Sequence, residues 1–241
     1  MRPLPYFIQS PLLRTVPGVY HAFLGIDPVE GRGREERLRE VFSIPPETVG
    51  TLKQVHSADV LAYGPEDGDY PGCRKREGDA LWTVAAGTGV GVHTADCVPI
   101  LFAHREIPLV AAVHAGWRGL AAGIVQEAVR TLMEKAGEKG TYGLVASAGP
   151  CALCCCYEVG EETADALSGV AGGSGLRRGG APGKWFADLR AIALAAVAEA
   201  GIDPSRAEGI GPCTICSPRF HSFRREKTLT GRQLSFIYIY K

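Results

Sequence analysis

The sequence predicts an α+β fold. Short apolar runs follow one another in hairpin-like order, single amphipathic helices interrupt them, and no stretch keeps the strand–helix alternation of a parallel α/β sheet. The apolar alternation predicts a strand over 19–25. Residues 33–42 are charged, with Leu38 and Val41 on one face, and read as a surface helix. Strands are expected over 51–56 and 59–63, joined at Ser57-Ala58, and an exposed loop over the Gly-, Pro- and charge-rich residues 65–78. Four β-like runs follow, over 80–83, 89–93, 98–103 and 109–114. Leu120, Ile124, Ala128 and Leu132 recur at fourfold spacing and predict a helix over 119–135. A buried strand is expected over 142–148 and helices over 161–167 and 188–200. Asp188 supplies an N-cap for the second helix and Gly201 its stop. Glycines dominate 172–183, which reads as a mobile loop. Aromatic and β-branched residues over 234–240 predict a closing strand. No repeat and no linker divides the chain, so residues 1–241 read as one domain.

Lysine plus arginine balances aspartate plus glutamate, 26 against 26. A neutral chain has no electrostatic reason to bind nucleic acid or an anionic membrane. No apolar run approaches the ~20 residues of a membrane span, and the most apolar stretch, 98–113, is interrupted by His104, Arg105 and Glu106. Prolines break the first six residues, leaving no secretory core. A soluble, cytoplasmic monomer is the expectation. Eight cysteines are then expected as reduced thiols. Cys154, Cys155 and Cys156 are adjacent, which suits a disulfide framework poorly. The pairs Cys151/Cys154 and Cys213/Cys216 read as small buried thiols at turns. A four-cysteine zinc built from those pairs would need a gap far beyond the ~15–20 residues of a zinc ribbon.

His114 opens the run His-Ala-Gly-Trp-Arg-Gly at the end of an apolar strand. Cys97 closes Thr-Ala-Asp-Cys between two strands, and His56 closes Gln-Val-His. Each alone is an ordinary core or rim residue. Together they supply two imidazoles and a thiol, which can hold a zinc ion and leave its fourth position open, as in catalytic sites. His93 is an alternative ligand. His21, His104 and His221 lack a comparable setting, and His104 reads as solvated in a charged turn. Gly116 and Gly119 bracket Trp117 and Arg118 just before a helix, where backbone and substrate can approach closely. A second reading makes Cys97 the nucleophile of a Cys/His hydrolase, with His114 as base. A third is a non-catalytic partner of the cell-wall or division machinery.

These runs resemble the YfiH family, also described as multicopper polyphenol oxidase or laccase-like. The resemblance rests on Gln54-Val55-His56, Gly78-Asp79-Ala80-Leu81, residues 94–99, residues 114–119, residues 155–160, residues 185–190, Cys213-Thr214-Ile215-Cys216, Phe223-Arg224-Arg225 and Thr230-Gly231-Arg232. It covers the chain from about Tyr20 onward. The resemblance implies a single domain with helices outside two packed, mixed sheets (α/β/β/α), and a His-Cys-His metal triad on His56, Cys97 and His114. It further implies a purine nucleoside enzyme. The expected reactions are phosphorolysis of adenosine, inosine and S-methyl-5′-thioadenosine to base and (methylthio)ribose 1-phosphate, and hydrolytic deamination of adenosine. Some members are linked instead to amide hydrolysis in peptidoglycan-precursor editing. The oxidase name implies copper, so copper is the alternative ion. Six scattered histidines are too few for a multicopper laccase. For this chemistry Asp96 or Asp79 is the expected general acid/base, and Arg118, Arg225 and Lys53 are the expected phosphate and substrate ligands. The chain departs from the family pattern at Leu153-Cys154, where Gly-Pro is usual, and at His221-Ser222-Phe223, where an aromatic pair and a Tyr are commoner.

Overall fold

The computed structural model describes residues 6–27, 33–65, 75–227 and 231–240. Two mixed sheets stack on each other. The first has five strands in the order Phe7–Ile8, Val19–Leu24, Gln233–Ile239, Thr88–Thr94, Val49–Gly50. The second has six, in the order Ala207–Gly209, Leu144–Ala148, Val98–His104, Val110–Ala115, Ala80–Thr83, Val60–Ala62. In each sheet most pairings are antiparallel; the parallel ones bring in the edge strands Val49–Gly50, Ala207–Gly209 and Val60–Ala62, while the edge strand Phe7–Ile8 pairs antiparallel. The expected closing strand lies centrally in the first sheet, between Val19–Leu24 and Thr88–Thr94, and all seven of its residues are buried.

Three apolar clusters define the layers. Leu81, Leu101, Val110 and Val145 of the second sheet meet Phe23, Val90, Val92 and Ile237 of the first, so the sheets share a core. The outer face of the second sheet packs on helices Ile124–Ala136 and Leu189–Glu199 through Ile100, Val113, Val129 and Ile192. The outer face of the first packs on helix Arg34–Phe42 through Leu38 and Phe42. The result is the α/β/β/α layering of a single α+β domain. Strands with both faces covered read as continuous apolar runs rather than alternating ones. Val98–His104 and Val110–Ala115 are accordingly buried at every position. Among the described residues, no helix is long and apolar enough to cross a membrane.

Four expectations change. Residues 51–56 do not form a strand; the chain turns there, and His56 adopts a left-handed φ of 62°. The helix expected over 119–135 is two helices, Trp117–Ala121 and Ile124–Ala136, because Gly123 adopts φ 84° and restarts the helix on a new axis. The glycine-rich segment 172–183 contains Leu176–Arg178, which pairs with Lys184–Ala187 as a hairpin beside Glu158–Gly160. His104 is buried, not solvated: its Nδ1 accepts the Glu106 N–H at 3.1 Å. Of the loop expected over 65–78, residues 66–74 lie outside the described residues. The Asp188 cap is present, its side chain accepting the Ala191 N–H at 2.9 Å.

His21 lies within the sheet core, and its Nε2 accepts the Ser10 N–H at 2.8 Å. Burial first, then Arg14, push its pKa down from 6.5 to about 4. A depressed histidine contributes stability that is complete above its unfolded pKa and is lost as pH falls through the folded value. Between pH 6.5 and 4, the chain is therefore expected to lose up to about 3 kcal/mol through this group. Denaturant titrations of the wild type and His21→Asn across that window check this; parallel pH slopes would contradict it.

Candidate metal centre

His56, Cys97 and His114 come together from three separate segments, each offering a ligand atom within 4.8 Å of the others. The two imidazole rings are tilted at 55° with centroids 4.8 Å apart. His114 is buried at the end of Val110–Ala115, Cys97 is half-buried just before Val98–His104, and His56 is exposed on its turn. Adjacent antiparallel strands place the first two side by side, since Pro99 is the register partner of His114.

Asp79 organises two of the three. Its Oδ1 lies 2.7 Å from His114 Nδ1, so that nitrogen donates to the carboxylate and Nε2 remains for a ligand. Its Oδ2 accepts the Ser57 N–H at 2.6 Å, the Val55 N–H at 3.2 Å and the Ser57 hydroxyl at 3.0 Å. The turn carrying His56 is thereby tied to the carboxylate that orients His114. This is the outer-shell arrangement that fixes a ligating histidine's tautomer and ring plane. Burial opposes ionisation of Asp79, but the His114 hydrogen bond and the backbone N–H of Ser57 hold its pKa down to about 2. Burial likewise opposes a charge on His114, but negative charge on the Cys97 sulfur and the Asp79 carboxylate raise its pKa to about 9. Burial and then His114 lower that of His56.

Asp96 shapes the third arm. It adopts φ 92°, a left-handed conformation that costs a non-glycine residue about 1–3 kcal/mol and persists where its surroundings enforce it. Thr214 donates to its Oδ1 at 2.7 Å, while Ser222 Oγ at 3.1 Å and the Arg224 N–H at 2.7 Å donate to Oδ2. Two of the four described non-glycine residues with positive φ, His56 and Asp96, thus sit at or beside the convergence point. Gly116 closes the cradle. A Cβ there would lie 2.7 Å from His56 Nδ1 and 2.9 Å from Cys97 Sγ, so the space beside the donors exists only because position 116 lacks a side chain.

The donor set suits a single ion. Two nitrogens and one thiolate with an open fourth position match catalytic zinc, and the same N₂S set also accepts copper. A cleft of about 190 Å³ opens on the two imidazoles, lined by Leu52, Gln54, His56, His93, His114 and Arg232. A larger groove of about 550 Å³ lies around Ala58–Leu61 and Gly123–Arg130, but it includes none of the His/Cys donors.

Several expected roles change. Lys53 is exposed and paired with Glu77 at 2.7 Å, outside the cleft lining. Arg225 donates to the carbonyls of Thr214, Ile215, Ser217 and Phe220 and to Glu226, so it ties down a loop instead of facing a substrate. Asp96 and Asp79 have both oxygens occupied by the donors above, which makes them positioning groups. Arg118 is exposed, stacked on Trp117 at 4.4 Å, and close enough to His56 to disfavour its charge. His93 lines the cleft without joining the three-residue cluster; the Gln54 side chain bonds its backbone N–H and C=O, each at 2.7 Å. Arg232 and Gln54 are cleft residues that the pattern alone did not single out. The only signal for Arg232 was its place in the run 230–232, just ahead of an apolar strand; Thr230 itself lies outside the described residues.

A family model described as multi-copper polyphenol oxidoreductase laccase matches residues 27–240. The chain belongs to that family. It is 36% identical over 222 residues to a Shigella flexneri protein named purine nucleoside phosphorylase YfiH, covering 90% of this chain and 84% of that one. It is 41% identical over 152 residues to an Aquifex aeolicus purine nucleoside phosphorylase, covering 63% and 66%. Among solved structures it resembles YlmD from Geobacillus stearothermophilus, with TM-score 0.86 and 25% identity over 98% of this chain and 100% of that one. YfiH from Bacillus licheniformis shares the fold at TM-score 0.82 and 21% identity. The family is the one its motif runs resemble, and the layered α+β architecture is the one expected of it.

Proposed function

We propose that this chain is a zinc-dependent purine nucleoside phosphorylase whose metal is held by His56, Cys97 and His114. The observation that carries the reading is the convergence of these three donors beneath Gly116, with Asp79 locking the tautomer of His114. The names of its relatives supply the substrate class. A zinc ion held by His56, Cys97 and His114 would supply Lewis acidity, chemistry that would serve both phosphorolysis and hydrolytic deamination of adenosine. Adenosine, inosine and S-methyl-5′-thioadenosine are the substrates of this reading.

In phosphorolysis a phosphate oxygen bonds to ribose C1′ as the C1′–N9 bond breaks, and the electron pair leaves with the purine. The residues of this chain must therefore hold a phosphate dianion beside the ribose. Arg232 lines the cleft, and Arg118 and Arg232 both bear on His56 electrostatically, so the rim is cationic where the dianion would sit. Guanidinium forks match phosphate oxygens in a bidentate way. Arg232→Ala is expected to raise the KM for phosphate about 10-fold or more, with a smaller change in the KM for inosine. Initial rates over a phosphate and inosine grid check it; equal changes in both constants would contradict the assignment.

A second reading has its own observation. Cys97 Sγ lies within 4.8 Å of a His114 ring nitrogen, and His114 is hydrogen-bonded to Asp79, which is the order of a Cys/His/Asp nucleophilic relay. In that hydrolase, peptidoglycan-precursor amidase included, His56 has no role and metal is absent. His56→Ala separates the two: loss of metal and turnover together supports the zinc enzyme, and undiminished amide hydrolysis supports the relay.

A further inference from the structure

A second set of sulfurs meets away from the His-Cys-His centre. Cys155, Cys156, Cys213 and Cys216 place their Sγ atoms within 4.8 Å of one another. A tetrahedral zinc with Zn–S of ~2.3 Å needs sulfurs about 3.8 Å apart, so the widest separation in this cluster exceeds that spacing by about 1 Å at most. All four are free thiols. Cys151 is fully buried in the apolar core, as a small buried thiol is expected to be, and Cys154 lies outside the cluster. The cluster pairs adjacent Cys155 and Cys156 with the Cys-x-x-Cys of 213–216; Cys155 and Cys216 are exposed, where buried thiols were expected of the Cys213/Cys216 pair.

The backbone is shaped for the sulfurs. Each pair sits on a tight turn, closed by Cys156 N–H to Leu153 O at 3.0 Å in one segment and Ser217 N–H to Cys213 O at 3.1 Å in the other. The two segments are joined by a parallel backbone β-pairing of Cys151 with Cys213, both free thiols, and by Thr214 N–H to Cys151 O at 2.9 Å. The backbone N–H groups of Cys216, Leu153 and Ile215 are directed at Cys213 Sγ. Hydrogen bonds of this kind stabilise a thiolate ligand.

We infer that Cys155, Cys156, Cys213 and Cys216 form a structural, four-thiolate zinc site separate from the His-Cys-His centre. Four protein ligands leave no open position, so this ion staples and does not react. It would join the segment leading to Tyr157 to the segment holding Thr214. Those segments support the metal centre from below: Thr214 donates to Asp96, and Ala152 N–H donates to the Asp96 carbonyl at 2.8 Å.

Zinc content of protein purified under reducing conditions tests this. Cys216→Ser is expected to carry about one zinc fewer per chain than the wild type. That difference holds whether or not the first centre is filled, so it is independent of the reading above. Equal zinc in the two proteins would overturn it. Should Cys216→Ser fail to fold, X-ray absorption on zinc-loaded Cys97→Ser decides. A shell of sulfur alone at about 2.3 Å supports the site, and a mixed nitrogen–sulfur shell overturns it. Intact mass of the wild type lowered by about 2 Da, marking a disulfide in place of the ion, would overturn it as well.

Discussion

Cys97→Ser is expected to lower inosine phosphorolysis by about 10³-fold or more and to empty the His-Cys-His centre, while the protein stays folded. The thiolate is the only anionic donor of the three, and a serine hydroxyl of the same shape does not ionise at neutral pH. The fold has little reason to respond. Cys97 is half-buried at a strand end, and Val98–His104 is held by Val110–Ala115 on one side and Leu144–Ala148 on the other. Turnover, metal content and circular dichroism measured together check the prediction. Loss of activity in the variant, from a wild type that holds no metal between His56, Cys97 and His114, would favour the nucleophilic relay instead.

Gly116→Ala is the second large effect, and it isolates space from conformation. Gly116 has φ −78° and ψ 169°, a backbone any residue adopts, so alanine brings no strain of its own. Its methyl carbon would sit under 3 Å from both His56 Nδ1 and Cys97 Sγ. The donors must move apart, and metal affinity is expected to fall about 100-fold, with activity following. Gly160 is the matched control: it caps Glu161–Ser168 with φ −80° and ψ 172°, and a Cβ there meets nothing within 4 Å. Gly160→Ala should leave metal and turnover unchanged. If the two variants behaved alike, the cradle would carry no function.

Much of the fold was legible because its strands are buried on both faces and therefore spell themselves as apolar runs, as 98–103 and 109–114 do. The failures have local causes. The run 51–56 has strand composition, yet Asp79 draws the Val55 and Ser57 amides toward itself and turns the backbone left-handed at His56. That carboxylate is 24 residues from Val55 and cannot be felt in a local window. Gly123 was hidden inside a fourfold apolar spacing that continues on both sides of the break. At the site, His56, Cys97 and His114 were legible because each ends a motif run. Arg225 misled, because an arginine spent on loop carbonyls looks the same in a sequence as one facing phosphate. Arg232 was passed over for the converse reason.

The central claim is that one metal ion, held by His56, Cys97 and His114, makes this chain a purine nucleoside phosphorylase. The direct measurement is incubation of the purified protein with inosine and phosphate, with hypoxanthine and ribose 1-phosphate quantified before chelation, after chelation and after zinc is restored. The account predicts equal amounts of both products, lost with the metal, recovered with zinc, and not recovered in His56→Ala. Free ribose in place of ribose 1-phosphate, or product formation indifferent to chelation and to His56, would contradict it.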